Sequence, residues 1–488
     1  FEKITQSWAV TQFGLQAPKL DIIATFDWFF LLSANIFVIV CIALIFMPVG
    51  KIRLGGMDSK PEFSTISWFS MLFAAGMGIG LMFWAVAEPV AYYTGWYGTP
   101  FDVVANTPEA RDLAMGATMY HWGLHPWAVY SIVALSLAFF SFNKGMPLTI
   151  RSAFFPLLKD KVWGWPGHII DILAVVATIF GLATSLGFGA QQAASGLSYL
   201  FGMSSGINVQ MAIIVGVTAV ALMSVLRGLD GGVKVLSNIN MALAGILLFF
   251  IIFAGPTMSI LENIWATSVS YVTNIVPLSN PFGREDETWL RGWTVFYWAW
   301  WISWSPFVGM FIARVSKGRT VREFVTAVLI IPTVITTVWM SSFGGSALEQ
   351  IDKGIGVLAE KGITEVSLAT FQMFEHLPFT GILSFIGIVL VLVFFITSSD
   401  SGSLVIDSIT AGGKTDAPTA QRVFWVVMEG AIAAALIFGG GADALGAIQA
   451  TAISAGLPFT VILLVMTWGL LKGLTHERKL LIARGEMT

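Results

Sequence analysis

Ala74-Ala75-Gly76-Met77-Gly78-Ile79-Gly80 and Trp298-Ala299-Trp300-Trp301-Ile302-Ser303-Trp304-Ser305-Pro306-Phe307 each lie inside an apolar run long enough to cross a bilayer. The first sits in the run Ile66 to Tyr93, where three glycines at alternate positions strip side chains from both faces and weaken the helix. Carbonyls freed there can bind a cation and freed N–H groups an anion, provided they line a cavity. Close helix packing is the other use of such small residues. A dinucleotide loop is excluded, because no strand–turn–helix context surrounds the glycines. The second stretch sits in the run Trp293 to Ile312. Trp301 and Trp304 are three apart and share a face, and Pro306 is expected to break the hydrogen-bond ladder just beyond them.

Composition outside these stretches agrees with a membrane solvent. Of 488 residues, 56% are hydrophobic and only 11% charged, with a mean hydropathy of +0.79, whereas a soluble domain carries roughly 25% charged residues. Further apolar runs are Asp27 to Met47, Trp127 to Phe142, Ile169 to Phe201, Val209 to Leu226, Met241 to Gly255, Val325 to Gly345, Ile382 to Val405, Val423 to Gly439 and Leu445 to Leu471. That makes about eleven transmembrane helices in one bilayer-embedded domain. The two longest runs, Ile66 to Tyr93 and Ile169 to Phe201, hold Gly or polar clusters, which suggests tilt or unwinding. Cys41 is the single cysteine, so no disulfide framework or cysteine metal site exists. No block of like charge points to nucleic acid. No cleavable signal peptide is visible, and the start at Phe1 leads us to expect one further helix upstream.

Loop charge sets the orientation. If the loop with Lys51, Arg53 and Lys60 is cytoplasmic, alternate loops collect Lys144, Arg151, Lys159 and Lys161, then Arg227 and Lys234. Arg314, Lys317, Arg319 and Arg322 follow, then Lys414 and Arg422, then Lys472, Arg478, Lys479 and Arg484. Together they hold 19 of the 26 basic residues, as the positive-inside rule requires. Between Pro256 and Leu290, Met258, Leu261, Ile264, Trp265, Val269 and Val272 recur at three- and four-residue spacing, which reads as a helix along the outer interface. It separates five spans from five. Two five-helix halves of opposite orientation make an inverted-repeat transporter with a mid-membrane site where the first helices meet. The expected parts are an N-terminal segment with one span (1–65), the first repeat (66–256), the interfacial helix (257–290), the second repeat (291–472) and a cytoplasmic tail (473–488).

Aromatic side chains gather beside these first helices. The second span of half one opens with His121-Trp122, His125-Pro126-Trp127 and Tyr130, and Trp127 and Tyr130 share a face. Interfacial belts account for many membrane tryptophans, such as Trp28 or Trp68, but less well for four beside weakened mid-span backbone. A trimethylammonium group has no N–H to donate, so ring faces suit it better than carboxylates or carbonyls. Each desolvated face contributes about 0.5–2 kcal/mol, which across four faces supports micromolar-to-millimolar affinity. In half two, Phe394-Phe395-Ile396-Thr397-Ser398-Ser399-Asp400 places hydroxyls within a span, as hard ligands for a small cation or as groups bonded back to their own helix. His121 and His125 have zinc-like spacing but lack the catalytic Glu of a metalloprotease. Glu429, Glu323, Asp171 and Asp400 could relay protons, although most fall near expected cytoplasmic ends, where capping or solvation suffices.

The glycine series, His121-Trp122 through Tyr130, Trp300 through Phe307 and Gly318-Arg319-Thr320-Val321-Arg322-Glu323 resemble the betaine/carnitine/choline transporter family over essentially the whole chain. The nearest pattern is that of its sodium-coupled glycine betaine symporters. The resemblance implies an all-α, LeuT-like fold of twelve helices with a five-plus-five inverted repeat, alternating access, a homotrimer and a cell (inner) membrane location. It implies an aromatic box of Trp122, Trp127, Tyr130 and Trp301, with Trp304 on the exit path and Met77 and Gly80 beside the substrate. One sodium ion would lie between the carbonyls of Ala74, Met77 and Phe394 and the hydroxyls of Thr397 and Ser398. A second would use Thr178 and the Phe307 region. Leu182 and Ala452 stand where the family has hydroxyls, so Ser185, Ser303 or Thr451 would have to compensate. Gly80, where choline carriers tend to have Asp, favours a zwitterion such as glycine betaine or dimethylsulfoniopropionate. A choline or carnitine carrier, proton-coupled or exchanging, is the alternative. A channel would need a continuous polar lining, and an enzyme a convergent acid, base or metal set, which the sequence does not offer.

Overall fold

The computed structural model describes residues 22–76, 78–227, 234–358, 365–414 and 418–487, and among them the chain is helical apart from turns and one isolated bridge, Arg53 to Thr320. The principal helices are α1 (Ile22–Phe46), α2 (Thr65–Gly76), α3 (Ile79–Thr94), α4 (Pro108–Trp122), α5 (Leu124–Ala138), α6 (Trp165–Phe201) and α7 (Ile207–Arg227). They continue with α8 (Lys234–Ala254), α9 (Thr257–Ser279), α10 (Val295–Val315), α11 (Val321–Asp352), α12 (Thr380–Thr410), α13 (Thr419–Gly440) and α14 (Ala444–Ala483). Nine described helical segments are long and apolar enough to cross a membrane, α4 and α5 counting as one. The other two expected spans fall short of that measure for physical reasons. One is divided into α2 and α3, and α10 is rich in Trp and Ser.

The structure redraws several expected boundaries. The second span of half one starts at Pro108, well before Trp127, and bends at Gly123 between α4 and α5. Arg111 and Asp112 had hidden its first turns from a hydropathy reading. Of the two longest runs, the first is interrupted between Gly76 and Ile79, where Gly78 is extended (φ −148°, ψ −168°). The second, α6, is one continuous helix of 37 residues. At 1.5 Å per residue that is about 55 Å, more than the full bilayer thickness. Pro306 does not end α10, which runs on to Val315.

Helix contacts repeat under exchange of the two halves. With α2–α3, α4–α5, α6, α7 and α8 matched to α10 through α14 in order, α5 on α10 corresponds to α3 on α11. Likewise α6 on α13 corresponds to α7 on α12, and α6 on α14 to α8 on α12, while α6–α12 and α7–α13 map onto themselves. A pseudo-twofold axis produces this pattern. α1 packs outside it, mainly on α5 and α11.

The basic loops sort to two ends. At one, Gly318 N–H donates to the Leu54 carbonyl (2.8 Å), Gly55 N–H to Asn143 Oδ1 (2.9 Å), and Lys144 pairs with Glu477. Gly318 has φ +82° and would place a Cβ 2.2 Å from the Lys60 backbone, so only glycine fits this crossing. At the other end Arg291 pairs with Asp27 (3.0 Å) and Arg111 with Asp352 (2.6 Å). These are the two groups that loop charge separates. α9 lies on α4 and α11 with Asn263, Thr267 and Ser270 inward and Met258, Leu261, Trp265, Val269, Val272 and Val276 exposed. Its apolar stripe faces away from the helices it packs on.

Candidate functional site

Two interruptions and one intact helix shape the centre. Gly123 divides α4 from α5 and puts Trp122 on one side of the bend, Trp127 and Tyr130 on the other. α10 packs along α5 and brings Trp301 against both. The ring centroids of Trp122 and Trp301 are 4.9 Å apart at 78°, those of Trp127 and Tyr130 5.5 Å at 85°, and those of Tyr130 and Trp301 6.2 Å at 85°. These four, with Leu81, Pro126 and Thr336, line one narrow cavity. Near-perpendicular rings offer faces and edges from several sides, which suits a spread cation better than a flat aromatic ligand.

Hydrogen bonds hold two of the planes. Trp301 Nε1 donates to the His121 carbonyl (2.9 Å) and Trp122 Nε1 to Glu88 Oε2 (2.7 Å). Tyr130 Oη and Trp304 Nε1 are buried without a partner among the described residues, so both can donate to a bound anion such as a substrate carboxylate. Trp304 lies below the box, 6.5 Å from Trp301 and 5.4 Å from Phe307. A Cβ on Gly78 would meet its ring at 3.1 Å. Gly80 is covered: a Cβ there would stand 2.5 Å from Trp300 Cη2 and 2.9 Å from Trp122 Cη2. A wider opening lined by Trp84, Trp96, Tyr97, Trp293, Asp443 and Gln449 lies on the side of Asp27 and Arg291.

The hydroxyl region of α12 lies close to the break between α2 and α3. Gly189 of α6 leaves room for both Ile79 and Phe395, with its ideal Cβ 2.9 and 3.2 Å from them. Thr397 and Ser398 follow Phe395 by two and three residues. Thr397 Oγ1 donates to the carbonyls of Val393 (2.9 Å) and Phe394 (3.2 Å) and accepts from Asn240 Nδ2 (2.9 Å). Donating its proton inward turns its lone pairs outward, and Asn240 takes one of them. Ala74 belongs to the last turn of α2, while Met77 lies outside the described residues.

The second expected cation region is less polar. Thr178 Oγ1 bonds back to the Ala174 carbonyl (2.7 Å), and Leu182 fills the space in front of Gly402, whose Cβ would sit 2.3 Å from Leu182 Cδ1. Ser303 Oγ reaches the Ala452 carbonyl (3.2 Å) and Ser185 Oγ the Gly181 carbonyl (3.4 Å), while Thr451 bonds within α14. Of the three compensating residues, Ser303 is the one that bridges two helices here.

Residues 11–479 match the family described as BCCT, betaine/carnitine/choline family transporter. The chain belongs to that family. Its relatives include glycine betaine transporter 1 of Vibrio parahaemolyticus, 66% identical over 96% of this chain and 89% of that protein. A glycine betaine/proline/choline/ectoine transporter of the same organism is 59% identical over 95% of this chain and 82% of that protein. The glycine betaine transporter OpuD of Bacillus subtilis is 45% identical over 95% and 90%. A solved mutant of the manganese transporter of Eremococcus coleocola covers 85% of this chain and 83% of its own at 16% identity and a TM-score of 0.39, too distant to bear on the site. The protein is thus a multi-pass membrane transporter of the betaine type and not an enzyme.

In this family member, sequence reasoning missed the groups behind the box. Glu88 lies inside an apolar run, is fully buried, and gathers Tyr92, His121, Trp122 and Tyr297 around its carboxylate. An ionisable residue inside a span is a signal in itself, one that the glycine series nearby overshadowed. Asn240, the partner of Thr397, carries no motif. The acidic residues singled out from sequence divide. Glu323 closes a capping box with Thr320, and Asp171 pairs with Arg151 (2.5 Å). Asp400 and Glu429 are fully buried rather than solvated at a helix end, held by Ser224 and Ser399 respectively.

Proposed function

We propose that this transporter imports a small zwitterionic onium solute, glycine betaine or dimethylsulfoniopropionate, across the inner cell membrane by sodium symport with alternating access. The observation that carries the reading is the arrangement of Trp122, Trp127, Tyr130 and Trp301 around one narrow cavity, with Tyr130 Oη and Trp304 Nε1 close by as donors that have no partner among the described residues. Faces receive the onium methyls, and the donors receive the carboxylate, so the two ends of the zwitterion are read separately. A sulfonium meets the same walls as a trimethylammonium, since neither donates a hydrogen bond.

Sodium is the proposed second cargo, held by the Phe394 carbonyl, Thr397 and Ser398 of α12 and by the Ala74 carbonyl at the end of α2, with Met77, outside the described residues, as the remaining expected ligand. The one lone pair of Thr397 that Asn240 leaves free and the closeness of Phe395 to Ile79 support this placement. A second sodium at Thr178 and Phe307 finds less support, because Leu182 occupies that region. A homotrimeric assembly rests on family resemblance. The names of the Vibrio relatives support a second reading, a broader carrier that also takes choline, proline or ectoine. Uptake of labelled glycine betaine and labelled dimethylsulfoniopropionate into proteoliposomes, with and without a sodium gradient, decides the matter. Saturable, sodium-dependent accumulation is expected. Accumulation of either solute without sodium sinks the symport reading, and unsaturable flux points to a channel.

A further inference from the structure

Glu88 is the most expensive side chain near the box, a carboxylate with no exposed surface inside a membrane protein. Its two oxygens are fully engaged. Oε1 accepts from Tyr92 Oη (2.9 Å) and faces His121 Nδ1 (2.9 Å). Oε2 accepts from Tyr297 Oη (2.5 Å) and Trp122 Nε1 (2.7 Å). His121 Nε2 faces Thr294 Oγ1 (3.0 Å), which fits an imidazole that donates from Nδ1 and accepts at Nε2. No lysine or arginine pairs with Glu88 among the described residues. The carboxylate's negative charge is therefore met by these four donors, His121 among them, rather than by a fixed cation.

That charge sits at the N–H edge of one wall of the cavity. A carboxylate accepting an indole N–H pushes electron density into the ring, and the ring face is what a cation feels. Holding Trp122 in plane alone needs only an amide oxygen, which glutamine would supply without burying a charge. We propose that Glu88 is a positioning and specificity residue: acting through Trp122, it makes the box selective for positively charged onium groups over neutral groups of the same shape. This inference rests on the aromatic-box reading above, and the experiment separates the two.

Competition against labelled glycine betaine uptake in proteoliposomes compares unlabelled glycine betaine with 3,3-dimethylbutanoate, in which carbon replaces the nitrogen and the carboxylate is retained. In Glu88→Gln, half-inhibition by glycine betaine is expected to weaken about three- to tenfold while that by 3,3-dimethylbutanoate stays within about twofold or strengthens. Trp122→Phe, which keeps Glu88 and its other three donors, should lower the preference similarly, and the double variant should lower it no further. If Glu88→Gln fails to reach the membrane, Glu88→Asp, which keeps the charge but draws it back from Trp122 Nε1, reads the same quantity against wild type. Equal weakening of both ligands would mark Glu88 as structural support only, and an unchanged preference would also overturn the proposal. Failure of the box reading looks different: wild type itself would not distinguish the two ligands, and Trp301→Ala would leave both unaffected.

Discussion

The first helices of the two halves occupy matched positions and solve the same problem in opposite ways. α2 and α3 surrender the helix: Gly78 is extended, and the chain restarts at Ile79. α10 contains a proline yet stays helical through Val315. The reason is local. Pro306 cannot donate to the Ile302 carbonyl, and Ser305 Oγ donates to it instead at 2.7 Å. One half thus offers backbone and the other offers rings held on a rigid rod. A sodium site as proposed and an aromatic wall need different materials, and the pseudo-twofold pattern permits each half to specialise.

The largest expected loss tests the backbone half. Thr397→Ala with Ser398→Ala should reduce sodium-driven accumulation of glycine betaine to equilibration, in protein that still elutes as a folded species. A neutral zwitterion moves no net charge, so each sodium contributes about 2.3 kcal/mol per 100 mV of potential and roughly 1.4 kcal/mol per tenfold gradient. With Leu182 filling the second region, wild type should show a charge-to-substrate flux ratio near one by reversal potential. A ratio of two would redirect attention to Ser303, the compensating hydroxyl that already spans two helices.

The next largest effect tests the ring half. Trp301→Ala should raise the half-saturation for glycine betaine about ten- to thirtyfold, the equivalent of roughly 1–2 kcal/mol, and Trp301→Phe should fall between. Alanine at Trp122, Trp127 and Trp301 each leaving uptake unchanged would place substrate elsewhere.

Why some of this was readable from sequence follows from range. Trp127 and Tyr130 share a face through helical spacing, so local periodicity announces them. Their meeting with Trp301 needs the crossing of α5 and α10, which came through the inverted repeat and family resemblance. Glu88 was not legible because its importance lies in partners from three helical segments, each ordinary alone. Pro306 misled for the converse reason. A proline in a helix is a sound local break signal, but a serine one residue earlier repairs the ladder, and no general pattern marks that pair. The early start of α4 escaped because hydropathy penalises Arg111, whose charge is met by Asp352 across the bundle.

A smaller effect probes where the two halves touch. Gly80→Asp should raise the choline-to-glycine-betaine uptake ratio by about threefold, since a carboxylate there attracts the cation that lacks its own. The structure adds a cost. Any Cβ at this position presses on Trp300 and Trp122, so Gly80→Ala should raise half-saturation for both solutes together. A ratio that rises equally in the alanine variant would assign the change to displaced rings and not to charge.

The smallest expected effect falls on the repaired ladder itself. Ser305→Ala removes the hydroxyl that satisfies the Ile302 carbonyl, leaving a buried acceptor without its partner. The cost should be about 1 kcal/mol, read as a modest fall in the thermal transition of detergent-solubilised protein. Trp301 lies before the gap, and its indole is tied to the His121 carbonyl independently of Ser305. Half-saturation for glycine betaine should therefore move by less than about twofold. If affinity falls as far as in Trp301→Ala while stability holds, α10 is no rigid rod, and the proline bends it during transport. The two first helices would then work alike after all, one broken permanently and the other in part of the cycle. Loss of stability with affinity kept is the result that preserves their difference.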